Sequence, residues 1–301
     1  MTARRTGLLT LWLLVLAAAQ VVAFVQLARF FVHTGHGQLL DTVALAGNGI
    51  GHRRIEGLVS NVLNAMSVLS LAIAAAVIGF IALIRGRVLL AVMAILLIVC
   101  ANVTTQLLKG FIVRPDLGID AERAAAGNSF PSGHTAVAAS VAVALVLVLP
   151  PRVRGLGAFV GAAYAALAGV ATLSAGWHRP SDAVAALLVV GAWTALACLV
   201  LVAAQRREAL VETGDAHRFA VVALILVSLA LAAVTVLAIR STEHVLATPP
   251  EGLGRRRLLT AYAGSAAAIT GTATLLTALV LATVHRVVPR RPDRRGAVRV
   301  R

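Results

Sequence analysis

The chain has 301 residues, of which 59% are hydrophobic and only 13% charged, and its mean hydropathy is +0.91. A soluble domain is normally about 45 to 50% apolar, so this composition excludes a soluble globular protein and predicts a membrane protein. The formal net charge of +15 does not indicate a nucleic-acid partner, because the basic residues lie in short segments between apolar runs and aromatic side chains for base stacking are scarce.

Apolar runs of about 20 residues, long enough to cross a bilayer core of about 30 Å, predict eight transmembrane spans. They lie at roughly 8–32, 61–84, 88–107, 134–149, 156–175, 183–203, 219–239 and 260–284. The runs lack the alternation of apolar and polar residues that a barrel wall needs. The predicted fold class is therefore all-α, a polytopic membrane helical bundle.

The first run raises the alternative of a secretory signal peptide, since it follows Arg4 and Arg5 and contains three consecutive alanines at 17–19 that resemble a cleavage site. The apolar region of a signal peptide usually stops at about 15 residues. This run continues past Gln20 to Val32, which favours an uncleaved first span.

The placement of basic residues predicts the topology. With a cytoplasmic N-terminus, the inner segments and the tail carry more Arg and Lys than the outer segments, as the positive-inside rule requires when both termini are cytoplasmic. The basic tail would then face the anionic headgroups of membrane lipids. In this orientation the segments 109–133 and 174–182 lie together on the extracytoplasmic face. The excess of Arg over Lys and the many alanines are associated with GC-rich bacterial genomes, so we expect a bacterial cytoplasmic membrane.

The outer ends of spans three to six carry three polar clusters. They read LLKGFIVRPD (107–116), SFPSGHT (129–135) and AGWHRPSD (175–182). Lys109, the only lysine in the chain, and Arg114 favour an anionic ligand. Pro131 ahead of Ser132 and Gly133 predicts a helix start, whose backbone N–H groups can hold phosphate oxygens. Gly133 would let the backbone approach such a ligand closely.

The third cluster predicts a nucleophile. Pro180 suits the first turn of a helix, and His178 and Asp182, four residues apart, can lie on one face of that turn. An Asp that accepts the hydrogen of one imidazole nitrogen fixes the tautomer and leaves the other nitrogen free to attack. His134 on the neighbouring span can serve as general acid and then as general base. The pattern predicts phosphoryl transfer through a phosphohistidine.

Each cluster alone has a structural alternative. A histidine at a helix end is usually not catalytic, an Arg-Pro pair often marks a span boundary, and Asp182 could simply cap a helix. Three unusual clusters on one predicted face favour a functional site. Both cysteines, Cys100 and Cys198, lie in apolar spans and predict neither a metal site nor a disulfide. The other histidines are predicted to be solvated residues of loops, namely His33, His36, His52, His217, His244 and His285.

The ordered motifs resemble the type 2 phosphatidic acid phosphatase superfamily, which includes lipid phosphate phosphatases and the soluble vanadium haloperoxidases. PSGH at 131–134 and the His178–Asp182 pair match the superfamily fully, and the resemblance covers about 60–203. It implies a mechanism without metal or cofactor and a six-helix core. We therefore expect a phosphatase-like core at 1–218 with its motifs in 105–185, two additional helices at 219–285 and a cytoplasmic tail at 286–301.

Two departures from the superfamily pattern stand out. Lys109 and Arg114 are separated by four residues, where the superfamily has six. The Ser-Arg pair of the third motif falls on Ala171 and Thr172, so an arginine that clamps phosphate is missing. We hypothesise that Arg179, directly after the nucleophile, supplies this charge from another direction.

The sequence thus predicts an integral-membrane phosphatase that hydrolyses a lipid phosphate monoester or diphosphate, prenyl or glycerolipid, at the outer membrane face. Its expected catalytic residues are His178, His134 and Asp182. The expected substrate-binding residues are Lys109, Arg114, Ser132, Gly133 and Arg179. Two alternatives remain: a phosphotransferase in which an alcohol accepts the phosphoryl group, and a degenerate protein that binds or transports lipid. The sequence does not specify the lipid, the acceptor or the oligomeric state.

Overall fold

The computed structural model describes residues 3–50, 52–64, 68–120, 128–204, 217–248 and 250–288. Within these residues the fold is all-α, without strands, which confirms the predicted class. The helices are α1 (Ala3–Phe31), α2 (Gly35–Ala46), α3 (His52–Asn64), α4 (Val68–Ile84), α5 (Val88–Phe111), α6 (Gly133–Val148), α7 (Pro151–Ser174), α8 (Pro180–Ala204), α9 (Arg218–Glu243) and α10 (Arg255–Val287), with 3-10 turns at Gly47–Gly49 and Pro250–Gly252.

Six of these helices are long and apolar enough to cross a membrane, namely α1, α5, α7, α8, α9 and α10. The apolar parts of α4 and α6 are shorter, and the 16 residues of α6 measure about 24 Å along the helix axis. Each of the eight predicted spans thus corresponds to an apolar helix, although two fall short of the usual spanning length. The protein is a polytopic helical membrane protein.

The second predicted span, 61–84, is wrong at its start. Residues up to Asn64 belong to α3, α4 begins at Val68, and 65–67 lie outside the described residues. α3 mixes polar and apolar residues, so it buries only one side, where Val59 and Leu63 pack against α7 near Ala171. The stretch between the first two predicted spans, where the sequence predicts loop histidines, also contains α2.

The centre of the bundle is α6, which packs against α5, α7 and α8. Its alanines let neighbouring helices approach closely. A Cβ at Gly161 on α7 would lie 3.3 Å from the Cβ of Ala142, so this glycine permits the contact between α6 and α7. The close approach fixes the start of α6 next to the end of α7, where the second and third polar clusters lie.

The last two helices pack against each other, and α10 also packs against α7 and α8. The hydroxyl groups of Tyr262 on α10 and Ser174 at the end of α7 lie 2.7 Å apart. α1 also packs against α8, and it contacts α10 through a 3.3 Å hydrogen bond from Trp12 Nε1 to Thr283 Oγ1. Helices α1 and α10 therefore flank α8, which carries Asp182.

Two histidines predicted to be solvated are half-buried instead. His285 lies within α10 because the helix continues to Val287, and His217 packs against Gly155 of α7 ahead of α9. The side chain of His52 lies outside the described residues. The remaining three are exposed, as predicted: His33, His36 and His244.

Candidate active site

The first cluster lies where α5 ends. The helix stops at Phe111 and the chain continues extended at Ile112, so Lys109 is in the last helical turn while Arg114 lies beyond the helix. Asn128 ties this end to the segment before α6, because its Nδ2 donates to the carbonyls of Lys109 (3.3 Å) and Ile112 and to that of Phe130 (2.9 Å). The break removes the requirement that the two cations share a helix face.

The second cluster forms the start of α6. Ser132 is its N-cap, and its buried Oγ accepts from the backbone N (3.4 Å) and the Oγ1 (3.0 Å) of Thr135. The Ser132 side chain therefore supports the helix start, and the first N–H groups after it have no intrahelical acceptor. A Cβ at Gly133 would lie 3.2 Å from Gln106 Nε2 and 3.6 Å from Lys109 Nζ. The lysine ammonium thus lies beside the helix start that the sequence predicted to bind phosphate.

The third cluster is arranged around the carboxylate of Asp182, which has no exposed surface. His178 Nδ1 lies 3.3 Å from Asp182 Oδ2, the same oxygen that accepts from the Arg179 backbone N (3.0 Å) and from Ser129 Oγ. The other oxygen, Oδ1, lies 3.3 Å from Arg114 Nη2. Asp182 therefore orients the His178 ring through Nδ1 and leaves Nε2 on the side away from the carboxylate.

The second imidazole lies near the first. The ring centroids of His134 and His178 are 6.4 Å apart, and the His134 ring contacts Trp177 at a centroid distance of 5.3 Å. Trp177 is about half exposed, whereas His178 is 7% exposed. The backbone N–H groups of Trp177 and His178 both donate to the carbonyl of Thr172, which fixes the turn that presents the two rings.

Arg114 is held by two acceptors, Asp182 Oδ1 and the carbonyl of Phe31 at the end of α1 (2.9 Å). Burial lowers the pKa of Arg114 from its ordinary value, and the charge of Asp182 opposes that shift. Gln38 on α2 supports the same segment, because its Nε2 donates to the carbonyls of Val32 (2.8 Å) and Pro115 (3.0 Å). Arg114 is thus at the site, with its guanidinium against the carboxylate that orients the His178 ring.

Arg179 is also at the site, but its Nη2 pairs with Asp120 Oδ2 at 3.2 Å. Its side chain is almost fully buried, and within the described part of the chain its Nε has no acceptor. Thr172, which stands where the superfamily has an arginine, is buried and its hydroxyl donates to the carbonyl of Gly169 in the preceding turn (2.8 Å). The hydroxyl of Thr172 is therefore used inside α7.

The sequence missed a second buried acid. Asp41 on α2 is 2% exposed and accepts hydrogen bonds from the backbone N (3.3 Å) and the hydroxyl of Ser181. Burial, with a contribution from the charge of Asp182, raises the pKa of Asp41 to about 7, although the Ser181 hydrogen bond, Arg114 and Arg179 act in the opposite direction. A lone Asp within the apolar stretch LLDTVALA was the available signal, but this stretch lies between two predicted spans and is too short to span a membrane itself.

Three other residues of the site were also missed. Asn128 and Ser129 lie three and two residues before Pro131 of the second motif, and Trp177 directly precedes His178. Their polar or aromatic side chains next to the motifs were a weak signal, because such residues are common in loops. Their contacts hold the Asp182 carboxylate, the end of α5 and the His134 ring, respectively.

The assembled site combines a carboxylate-oriented imidazole, a second imidazole and an ammonium beside a helix start. Cations and free backbone N–H groups at one point bind anions, and phosphate suits both. An oriented imidazole supplies a nucleophile for such a group, and the second imidazole can transfer a proton. The arrangement is therefore suited to phosphoryl chemistry.

Comparison with protein families agrees with this chemistry. Residues 86–207 match the family model described as the PAP2 superfamily, a stretch that contains all three polar clusters. The match confirms the resemblance predicted from the motifs. Searches of curated proteins and of solved structures gave no match. The family match and the apolar helices support a membrane phosphatase-like protein.

Proposed function

We propose, from the PAP2-superfamily match across 86–207, that this chain hydrolyses a lipid phosphate monoester or diphosphate through a phosphohistidine on His178. The observation that carries the proposal is the 3.3 Å contact between His178 Nδ1 and the buried Asp182, beside the ring of His134. A buried carboxylate against one nitrogen fixes the imidazole tautomer that keeps the lone pair on the other.

In the first step, His178 Nε2 attacks the phosphorus. An N–P bond forms, the bond from phosphorus to the leaving oxygen breaks, and His134 donates a proton to that oxygen. In the second step a water attacks the same phosphorus, His134 takes the proton of the water, and the N–P bond breaks. The products are the dephosphorylated lipid, or its monophosphate, and inorganic phosphate, while both imidazoles return to their starting states.

The charge on the transferring phosphoryl group requires stabilisation, and preorganised cations and N–H groups supply it. The candidates are Lys109, whose Nζ lies beside Gly133, and the first N–H groups of α6, next to His134. Arg114 acts through Asp182, which it contacts directly. We keep Arg179 as the hypothetical replacement for the missing clamp, with Asp120 as its competitor for the guanidinium.

The proposed substrate is a lipid because the site lies at the ends of apolar helices, where a phosphate attached to a membrane lipid is within reach. We propose that this end of the bundle faces away from the cytoplasm of a bacterium, as the distribution of basic residues indicates. Water is the proposed acceptor. The two rivals, an alcohol acceptor and a degenerate lipid-binding protein, differ from it in their products.

The test uses the full chain purified in detergent and a panel of prenyl and glycerolipid phosphates and diphosphates. We expect phosphate release from one class, and a protein-bound phosphate that is labile in acid and stable in base when the reaction is quenched early. His178→Ala should abolish both signals, whereas His244→Ala, at an exposed histidine, should change neither. Phosphate transferred to added alcohol would favour the phosphotransferase, and binding without turnover on the whole panel would favour the degenerate protein.

A further inference from the structure

A cavity of about 380 Å³ lies on the other side of the first turn of α8. Its walls come from five helices, with Leu27 of α1, Asp41 of α2, Pro180 and Ser181 of α8, Ala232 of α9 and Ala268 of α10 among them. The volume is within the range of small-molecule sites, about 300 to 1,000 Å³. Four of its five helices, α1, α2, α9 and α10, lie outside the stretch that matches the family.

The wall of the cavity is chemically apolar. Alanines of α9 and alanines and glycines of α10 create the space, and four of the lining hydroxyls donate to backbone carbonyls of this helix pair, namely those of Ser228, Thr235, Thr242 and Thr272. Ser228 donates to Gly271 O (2.9 Å), and Thr242 donates to Ala238 O (2.8 Å). Because these hydroxyls are satisfied, most of the wall offers an occupant only apolar contact. α1, α8, α9 and α10 are also long and apolar enough to span a membrane, so hydrocarbon chains are the apolar molecules at hand.

The cavity has one polar end, and that end adjoins the active site. Asp41 lines the cavity and holds Ser181, whose turn separates the cavity from the site. Pro180 and Ser181 follow the nucleophile, His178, by two and three residues. A lipid phosphate bound at His178 could therefore pass over this turn and extend its chain between α9 and α10.

We propose that the cavity binds the hydrocarbon chain of the lipid phosphate whose phosphoryl group lies at His178. This inference rests on the proposed function, because it assigns the chain-binding part of the same substrate. It gives the helices outside the family match a role in selecting substrates by chain length. The gain in affinity comes from moving apolar surface of the chain into the cavity, at about 0.8 kcal/mol for each buried methylene.

The first experiment detects binding of an alkyl monophosphate without its hydrolysis. His178→Ala in detergent is labelled with a long-chain alkyl monophosphate that carries a diazirine near the end of its chain, and the cross-linked peptides are mapped. We expect label on α9 and α10 that unlabelled alkyl monophosphate displaces and that the matching alkyl alcohol displaces poorly. Label confined to other helices, or label that the alcohol displaces equally well, would overturn the inference whatever the enzyme activity proves to be.

The second experiment measures how kcat/KM depends on the length of the substrate's alkyl chain. Ala232→Phe places a large side chain in the cavity, and the matched control Ala233→Phe changes the next residue of α9, which is exposed as Ala232 is but does not line the cavity. For the first variant we expect kcat/KM to fall tenfold or more with a long-chain alkyl phosphate, the loss of about two buried methylenes, and to stay within twofold with ethyl phosphate. The control should match the wild type with both. Equal losses for long and short substrates would mean that the cavity does not hold the substrate chain. If the protein releases phosphate from no substrate, the proposed function is refuted. The labelling pattern would then still decide whether the cavity binds a hydrocarbon chain.

Discussion

The two sides of the first turn of α8 present contrasting environments. On one side Asp182 contacts the ring of His178 and the guanidinium of Arg114, so its partners can carry charge. On the other side Asp41 is held by the neutral N–H and O–H of Ser181, next to an apolar cavity. Both carboxylates are almost inaccessible to solvent. Chemistry that needs charged partners produces a sequence motif, whereas a cavity formed by packing of small residues does not.

The largest expected effect is on the charged side of the turn. Asp182→Asn should lower kcat by a factor on the order of 10⁴, because an amide no longer fixes the imidazole tautomer. The matched control is Asp116→Asn, at an exposed carboxylate that accepts a local hydrogen bond from Gly118 N. The thermal midpoint in detergent checks folding, since the change also leaves Arg114 without its carboxylate. A folded Asp182→Asn protein within tenfold of the wild type would contradict the orienting role.

The next effect separates proton transfer from binding. His134→Ala should lower the rate by about 10² to 10⁴ for alkyl phosphates, whose leaving oxygen needs a proton. The loss should be much smaller for p-nitrophenyl phosphate, whose leaving group departs as a stable anion. His33→Ala, at an exposed histidine, serves as control. Equal losses for both substrates would show that His134 only contributes to phosphate binding.

The charged side of the turn was largely predictable from sequence. The spacing of His178 and Asp182 fits one helical turn, and the proline before Ser132 indicates a helix start, so local rules are sufficient for both. The helical membrane fold was equally predictable, because apolar runs of spanning length admit few alternatives. The alternating direction of the predicted spans then allowed the clusters to be placed at one end of the bundle.

The rest of the site depends on contacts between distant segments. Asp41 and Ser181 are 140 residues apart, and only packing of α2 against α8 brings them together. The pairing of Arg179 with Asp120 likewise follows from the path of the 112–120 segment after α5 ends. α2 was missed because it has 12 residues and adjoins a predicted span, so its helical signal is short.

A smaller effect tests whether Arg179 replaces the arginine that is missing from the third motif. If Arg179 contributes to phosphate binding, Arg179→Ala should lower kcat/KM about 100-fold or more, and Thr172→Arg should partly restore it. If its role is confined to the ion pair, Asp120→Asn should produce the same modest change as Arg179→Ala. The kcat/KM of each single variant and of the Arg179→Ala, Thr172→Arg double variant distinguishes the two. Additive effects would mean that positions 172 and 179 do not act on one phosphate.

The smallest effect concerns the cavity side, where pH should report on Asp41. Its pKa is raised to about 7 from an ordinary value of 3.8, so the folded protein holds the Asp41 proton more tightly than the unfolded chain. This stabilisation is complete below about pH 4 and is lost as pH rises through about 7; a shift of this size corresponds to roughly 4 kcal/mol, an upper bound. Asp41→Asn keeps an acceptor for Ser181 but cannot ionise. The thermal midpoint of the wild type, measured in detergent relative to Asp41→Asn, should therefore fall between pH 5 and pH 8, whereas the midpoint of the wild type relative to Asp116→Asn should show no such trend. If the thermal midpoint of the wild type instead rises relative to Asp41→Asn over the same pH range, the charges of Arg114 and Arg179 outweigh burial. Asp41 would then belong with Asp182 to the charged side of the turn.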